Sequence, residues 1–566
     1  MLNITCVVEG LHSSFRERRD YPEKCSSAAS TLNALHILYA VVIHTVEIIL
    51  GLLVAVAGLA LLARKLGVAY PILFVIGGLV LGLIPGLPRP RLDPELVFLL
   101  FLPPLLYPAA LFTSWRDFRA NLRPISMLAI RLVLITTVIV AFVAHKLVGL
   151  PWAAAFVLGA IVSPPDAVAA TAITKRLRVP RQIVTILEGE SLVNDATALV
   201  IYRFAVAAVV TGAFSLALAG LEFVLVSSGG IFLGAAIGWV ASFVQRRLDD
   251  PPVQTTFSLL TPFAAYLAAD KVGASGVLAV VTAGLYLGWR SPEIINSRAR
   301  FQIFPVWEMV VFLLNGLIFI LIGLQLPQIV ENLSGQSLPK LCWQAALLNL
   351  VLILVRIAWV FAAKYLPDLL GKSPAQNTPR PNWRHTAIVA WTGMRGVDSM
   401  AAAMALPLFV RDGSSFPGRD LILFHTFAVI LVTLVFQGLS LPVIIRWLRV
   451  EDDGVTEKEE GQARLRAVQA ALARLNEFHG KSNEKALAKL RAQYEERIAV
   501  LENNSKGDVH QRDKTHATAY ERLFSEALLA ERRMILQLRN EQVINDEVLR
   551  RIQRDLDLAE LRLNRT

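Results

Sequence analysis

The sequence predicts an all-α polytopic membrane protein followed by a helical tail. Of its 566 residues, 55% are hydrophobic, and the mean hydropathy is +0.52. Apolar runs of roughly 17–25 residues, enough to cross about 30 Å of hydrocarbon, recur along most of the chain. Charged residues are concentrated in the short segments between these runs and after about residue 450.

Thirteen apolar runs predict about thirteen transmembrane helices. They lie approximately at 44–63, 69–87, 96–113, 124–148, 151–174, 183–210, 214–244, 254–270, 273–289, 303–326, 342–363, 384–408 and 420–445. We therefore expect three parts: an N-terminal extension over 1–43, a transmembrane domain over 44–446 and a helical tail over 447–566.

The N-terminal extension does not read as a signal peptide. Arg16, Arg18, Arg19 and Lys24 precede no compact apolar segment with a small-residue cleavage site. We expect residues 1–43 to be disordered, as either an over-extended start or a genuine extramembrane leader.

The loop charges predict the orientation of the chain. The odd-numbered loops hold most of the Lys and Arg, which marks them as cytoplasmic. An odd number of spans then places the N-terminus outside and the tail in the cytoplasm of a bacterial inner membrane. The net charge of +11 is better explained by loops facing anionic lipid headgroups than by nucleic acid. The three cysteines show no spacing typical of a metal centre or a disulfide framework.

Two of the predicted spans are interrupted, near the two ends of the bundle. The fifth contains Pro164-Pro165, and the twelfth contains Gly393-Met394-Arg395-Gly396. Proline removes a backbone donor, and breaks of this kind free carbonyls and half-helix ends in mid-membrane. Paired interruptions indicate a transporter with inverted repeats and crossing broken helices.

Acidic residues accompany these interruptions. Asp195 lies within the sixth apolar run, and Asp166 directly follows the two prolines of the fifth. A charge at the bilayer centre costs roughly 2.5–3.5 kcal/mol even on lenient scales, so both acids must face a bundle interior or a wet cavity. Carboxylate, hydroxyl and carbonyl oxygens are suitable ligands for a small cation. A buried carboxylate that holds either a cation or a proton would exchange the two by competition.

Several motifs resemble the sodium/proton exchanger family, and specifically its bacterial branch. The most specific is Gly189-Glu190-Ser191-Leu192-Val193-Asn194-Asp195, which is similar to the family's GES-x-x-ND motif. The further matches follow in the same order and spacing as in the family, and they are Phe101–Tyr107, Ser163–Val168, Leu317–Gly323 and Gly393–Gly396. The resemblance covers about 44 to 445.

The resemblance implies a homodimeric antiporter without an enzymatic activity or cofactor, in which a core domain moves against a dimerisation domain. It assigns the ion- and proton-binding role to Asp195, with Asp166, Ser191 and the Pro165 carbonyl as neighbours. Asn194 would fix the geometry of the crossing. An asparagine rather than an acid at this position implies electroneutral one-for-one exchange.

The resemblance also implies that Glu190 and Arg395 form a structural ion pair. Asp398 is not expected from the family pattern, and Pro108 stands where many relatives carry an acid. Three residues after Arg395, Asp398 is either a structural counter-charge to that arginine or a modulator that lines the cavity. Arg356, inside the eleventh span, is expected to be an intrabundle charge.

Three functions remain open from the sequence. Exchange of sodium or lithium for protons is the leading one, and the same ligands would support potassium/proton exchange. A membrane-embedded sensor that signals through the tail is a rival of another class, but the chain contains no recognisable receiver or enzymatic module. The tail shows an apolar stripe that predicts packing on its own subunit or on a cytoplasmic partner, and its members are Leu536, Val543, Ile544, Val548, Ile552, Leu556 and Leu563.

Overall fold

The structure, a computed structural model, describes residues 46–84, 94–212, 216–333, 335–369, 382–450, 452, 454–477, 484–505 and a few single positions between 531 and 558. Within them the ordered elements are helices, and the remaining pairing is one isolated antiparallel bridge between Phe409 and Ser415. This confirms the all-α prediction. The predicted N-terminal extension and most of the apolar stripe of the tail lie outside the described residues.

Sixteen described helices precede residue 450. We number them α1 (Val46–Leu66), α2 (Tyr70–Gly82), α3 (Pro94–Phe112), α4 (Trp115–Ala120), α5 (Leu122–Val148), α6 (Trp152–Val162), α7 (Ala167–Arg176), α8 (Arg181–Thr211), α9 (Leu216–Gln245), α10 (Pro251–Lys271), α11 (Gly276–Ile294), α12 (Ser297–Asn332), α13 (Leu338–Leu369), α14 (Trp383–Trp391), α15 (Val397–Met404) and α16 (Arg419–Trp447). Short π-helical stretches interrupt α5 and α16.

Eight of the described helical segments are long and apolar enough to cross a membrane. The continuous stretch Trp152–Arg176, which contains α6, the break and α7, counts as one of them. Two further apolar helices, Tyr70–Gly82 and Leu99–Phe112, are shorter. The chain is therefore a helical membrane protein, and the number of thirteen spans stays a prediction.

The chain divides into two compact units between Glu451 and Asp452. The second unit contains α17 (Val455–Glu477) and α18 (Glu484–Ser505), which pack against each other. The guanidinium of Arg491 on α18 donates to the carbonyl of Leu475 on α17 at 3.0 Å. Both helices are largely exposed and rich in charged residues, as is typical of a solvated helical hairpin.

Two breaks position the candidate site. The first separates α6 from α7 at Ser163–Pro165, and the second separates α14 from α15 at Thr392–Gly396. The long helix α8 packs against both α6 and α7, and α15 packs against α6. The two interruptions that are far apart in the sequence are therefore held together inside the bundle.

Candidate cation-binding site

The two broken helices meet through their backbones. The N–H of Asp166 donates to the carbonyl of Met394 at 2.7 Å. Neither Pro164 nor Pro165 has an N–H, so this stretch cannot continue the helical hydrogen-bond ladder. The break thus exposes backbone groups in the bundle interior, and the second break supplies a partner for one of them.

Both half-helices that start at the crossing direct their N-termini toward the same carboxylate. Asp166 is the N-cap of α7, and its Oδ1 accepts from the N–H of Val168 at 2.8 Å. The N–H of Val397, the first residue of α15, also lies beside this carboxylate. Unpaired N–H groups and the helix dipole place partial positive charge at each helix start, which favours a negative group there.

The crossing requires a glycine at position 396. A Cβ added to Gly396 would lie 1.6 Å from Oδ2 of Asp166 and 2.5 Å from its Cγ. Real side chains do not come this close, so the absence of a side chain lets the second break approach the Asp166 carboxylate.

Helix α8 brings the residues of the GES-x-x-ND motif to this crossing. Asn194 donates from Nδ2 to the carbonyl of Pro165 at 2.9 Å, which satisfies one of the exposed backbone groups. The Oγ of Ser191 accepts from the N–H of Ala167 at 3.4 Å, at the start of α7. Asp195, which is only 3% exposed, follows Asn194 on the same helix. The structure therefore brings together the predicted site residues Asp166, Ser191, Pro165, Asn194 and Asp195.

Asp398 joins the same cluster. Its carboxyl group, in the first turn of α15, lies within hydrogen-bonding distance of the carboxyl group of Asp195. The acid that the sequence motifs did not account for thus lies beside the predicted ion-binding residue.

The crossing contains buried oxygen atoms that are suitable ligands for a cation. Four buried oxygens around the crossing have no hydrogen-bond donor among the described residues: Asp166 Oδ2, Asn194 Oδ1, Asp195 Oδ2 and Asp398 Oδ1. Buried acceptors normally find a donor, so each of these needs a proton, water or a cation. In the described part of the chain, no three His, Cys, Asp or Glu side chains form a ready-made metal centre. Carboxylate and amide oxygens are hard ligands of the kind that small cations prefer.

The predicted ion pair between Glu190 and Arg395 is wrong. Glu190 instead accepts from Arg356 of α13 in a bidentate pair, with Nη1–Oε1 at 2.6 Å and Nη2–Oε2 at 2.9 Å. Both side chains are almost fully buried. Arg356 also donates to the carbonyl of Val389 on α14 at 3.1 Å, so this pair ties α8, α13 and α14 together.

Arg395 instead donates hydrogen bonds to backbone carbonyls at the ends of two helices. Its guanidinium donates to the carbonyls of Val162, at 2.9 Å, and of Ser163, at 3.4 Å, and also to the carbonyl of Gly393. Its backbone N–H donates to Oγ1 of Thr433 at 3.0 Å. The C-terminal ends of α6 and α14 carry partial negative charge and unpaired carbonyls, and a buried cation satisfies them. Arg395 therefore donates to carbonyl groups, and among the described residues it forms no ion pair with Asp398, one of the two roles that the sequence left open for that acid.

The sequence analysis identified Arg356 only as an intrabundle charge and did not assign it a partner. A useful signal was nevertheless present, because an arginine in the middle of an apolar span must be matched by an acid. Two buried arginines and several buried acids allowed more than one pairing, and the pairing that the family resemblance implied was the wrong one.

Known proteins are similar to this chain over most of its length. A family model described as "Sodium/hydrogen exchanger, transmembrane" matches residues 51–447. An uncharacterized Na(+)/H(+) exchanger of Mycobacterium tuberculosis is 37% identical over 529 residues, which cover 91% of this chain and 96% of that protein. A sodium, potassium, lithium and rubidium/H(+) antiporter of Bacillus subtilis is 34% identical over 422 residues, 73% of this chain and 62% of the relative.

A solved structure shares the fold. The sodium proton antiporter MjNhaP1 from Methanocaldococcus jannaschii superimposes with a TM-score of 0.54 at 18% identity, over 72% of this chain and 99% of that one. At this identity the likeness concerns the architecture alone.

Proposed function

This chain belongs to the sodium/hydrogen exchanger family, and we propose that it exchanges sodium or lithium ions for protons across a bacterial inner membrane. It is a secondary antiporter rather than an enzyme. The observation that supports the proposed site best is the set of buried oxygens without donors at the crossing of two broken helices.

In the proposed mechanism, Asp195 binds either the cation or a proton. Burial of its carboxylate makes the bare charge costly, so one positive partner must accompany it. Asp166 and the Ser191 hydroxyl both contact the start of α7 at the same crossing, and Asn194 holds the Pro165 carbonyl in place. A cation and a proton that compete for one carboxylate cannot cross together, which couples the two fluxes.

The rest of the proposal follows from the same site. A site that holds one proton or one monovalent cation has the same net charge in both states, so we propose one-for-one electroneutral exchange. Alternating access would carry the site between the two faces of the membrane, within a homodimer that has its N-terminus outside and its tail in the cytoplasm. The tail would bias the exchange cycle through contacts with its own subunit or with a cytoplasmic partner.

Potassium/proton exchange is the second candidate. The name of the Bacillus subtilis relative includes potassium and rubidium as well as sodium and lithium. The oxygen ligands of the site do not by themselves exclude the larger cations, because selectivity depends on the size and rigidity of the cavity.

The test is exchange in proteoliposomes that contain a pH-sensitive dye. In the parent, Na⁺, Li⁺ or K⁺ added outside should dissipate an imposed pH gradient, and Asp195→Asn should abolish this response. The matched control is Glu188→Gln on the same helix, because Glu188 forms a partly exposed pair with Lys175 at 2.7 Å. Surface pairs of this kind contribute about 0–1 kcal/mol, so this variant should exchange like the parent. Substantial exchange by Asp195→Asn would refute the assignment of the site.

A further inference from the structure

We infer that Asp398 is a direct ligand of the transported cation, which it holds together with Asp195. The inference rests on the proposed function and extends it. It replaces both roles that the sequence left open for Asp398, a counter-charge to Arg395 and a modulator at the edge of the cavity.

The first argument is the contact between the two carboxyl groups. Asp195 and Asp398 lie within hydrogen-bonding distance of each other, and each has one buried oxygen, Asp195 Oδ2 and Asp398 Oδ1, that has no donor among the described residues. Two carboxylates with buried oxygens at this separation repel each other unless a positive species lies between them. In an exchanger, the species available at this position are the transported ions.

The second argument is that the nearby arginines are already committed. Arg356 forms the bidentate pair with Glu190, and Arg395 donates to three backbone carbonyls. Neither guanidinium contacts Asp398 in the described structure. A purely structural acid in a bundle interior needs a counter-charge, and the described residues form no ion pair with this one.

The third argument is the position of Asp398 on its helix. It lies in the first turn of α15, directly after the break, on the half-helix whose start faces Asp166. Asp195 lies on the continuous helix α8. A cation held by both carboxylates would therefore link α8 to the second broken helix, in addition to the link that Asn194 makes between α8 and the first.

The experiment compares Asp398→Asn with the parent in two measurements. The first is the Na⁺ concentration for half-maximal exchange in proteoliposomes. The second is the rise in melting temperature of purified protein in detergent when NaCl replaces choline chloride, since a ligand that binds the folded state stabilises it according to its affinity. The matched control is Asp420→Asn, because Asp420 is also an acid in the first turn of a helix, α16, away from the crossing.

If Asp398 is a ligand, Asp398→Asn should raise the half-maximal Na⁺ concentration at least tenfold and reduce the stabilisation by NaCl. Its melting temperature without Na⁺ should equal or exceed that of the parent, because the repulsion from Asp195 is removed. Asp420→Asn should match the parent in both measurements. A lower melting temperature without Na⁺, together with an unchanged half-maximal concentration, would show a structural role and overturn the inference.

If Asp398→Asn yields no folded protein, Asp398→Glu provides the test. It keeps the charge but moves it by one methylene, so it should retain stabilisation by cations while changing the order of preference among Li⁺, Na⁺ and K⁺. Parent-like affinity and preference in this variant would overturn the inference. Other results would overturn the proposed function itself. In that case the parent would show no cation-dependent proton flux, or Asp195→Asn would remain active.

Discussion

A single added methyl group at Gly396 should disable the site while leaving the protein folded. In Gly396→Ala the new Cβ would lie 1.6 Å from Oδ2 of Asp166. To reach ordinary van der Waals distance, the carboxylate or the backbone at the second break must move by roughly 2 Å. Asp166 cannot move freely, because its side chain caps α7 at 2.8 Å and its N–H bonds Met394 at 2.7 Å.

The contacts around Gly396 determine the losses of stability and of exchange rate that we expect for Gly396→Ala. Loss of the cap costs about 0.5–2 kcal/mol, and overpacking of a buried site costs typically 1–3 kcal/mol. The free energy of unfolding should therefore fall by an amount that most folded proteins tolerate. Function is more sensitive, because a misplacement of about 1 Å at a reacting site can cost on the order of a hundredfold in rate. We expect the exchange rate to fall about a hundredfold with a modest loss of thermal stability.

The assay is the initial rate of cation-driven proton flux in proteoliposomes, with the melting temperature measured in detergent. Gly58→Ala is the matched control, since a Cβ added at Gly58, on α1, meets nothing within 4 Å. This control should exchange at the parent rate. The misplacement is expected to reduce the rate about a hundredfold. A rate for Gly396→Ala within about threefold of the parent rate would therefore show that transport does not require the close approach of the two breaks.

The other predictions concern the supports of the site and the tail. Arg356→Met and Glu190→Gln should each lower the free energy of unfolding by about 3–5 kcal/mol, because each leaves a buried group unpaired. The double variant should recover part of this loss. Equal melting temperatures for the parent and the single variants would exclude the pair. Asn194→Ala should cost about 1–3 kcal/mol through the unsatisfied Pro165 carbonyl and weaken cation affinity, whereas parent-like stability and half-maximal Na⁺ concentration would contradict this role. A chain ending at Glu451 should still exchange, but with a shifted pH profile or a weaker dimer. The measurements are exchange rates across pH and dimer dissociation in detergent. Identical profiles would leave the tail without a regulatory role.

The sequence alone was sufficient for the fold class and for naming the residues of the proposed site. Lipid penalises charge and unsatisfied backbone strongly, so Asp166, Asp195 and the two interrupted spans stand out from their apolar surroundings without any knowledge of the fold. The spacing of the GES-x-x-ND motif likewise places Ser191 and Asp195 four positions apart, on one side of a helix. These features are local, and the sequence displays them directly.

The partners of the buried charges were decided only by the tertiary structure. Glu190 and Arg356 are 166 positions apart, and nothing local distinguishes Arg356 from Arg395 as the partner of Glu190. The choice depends on where α13 and α14 pack against α8, and on the free carbonyls at the ends of α6 and α14 that occupy Arg395. The same packing leaves Asp398 facing Asp195, because electrostatic pairing in a bundle is determined by distances between helices that sequence spacing does not encode.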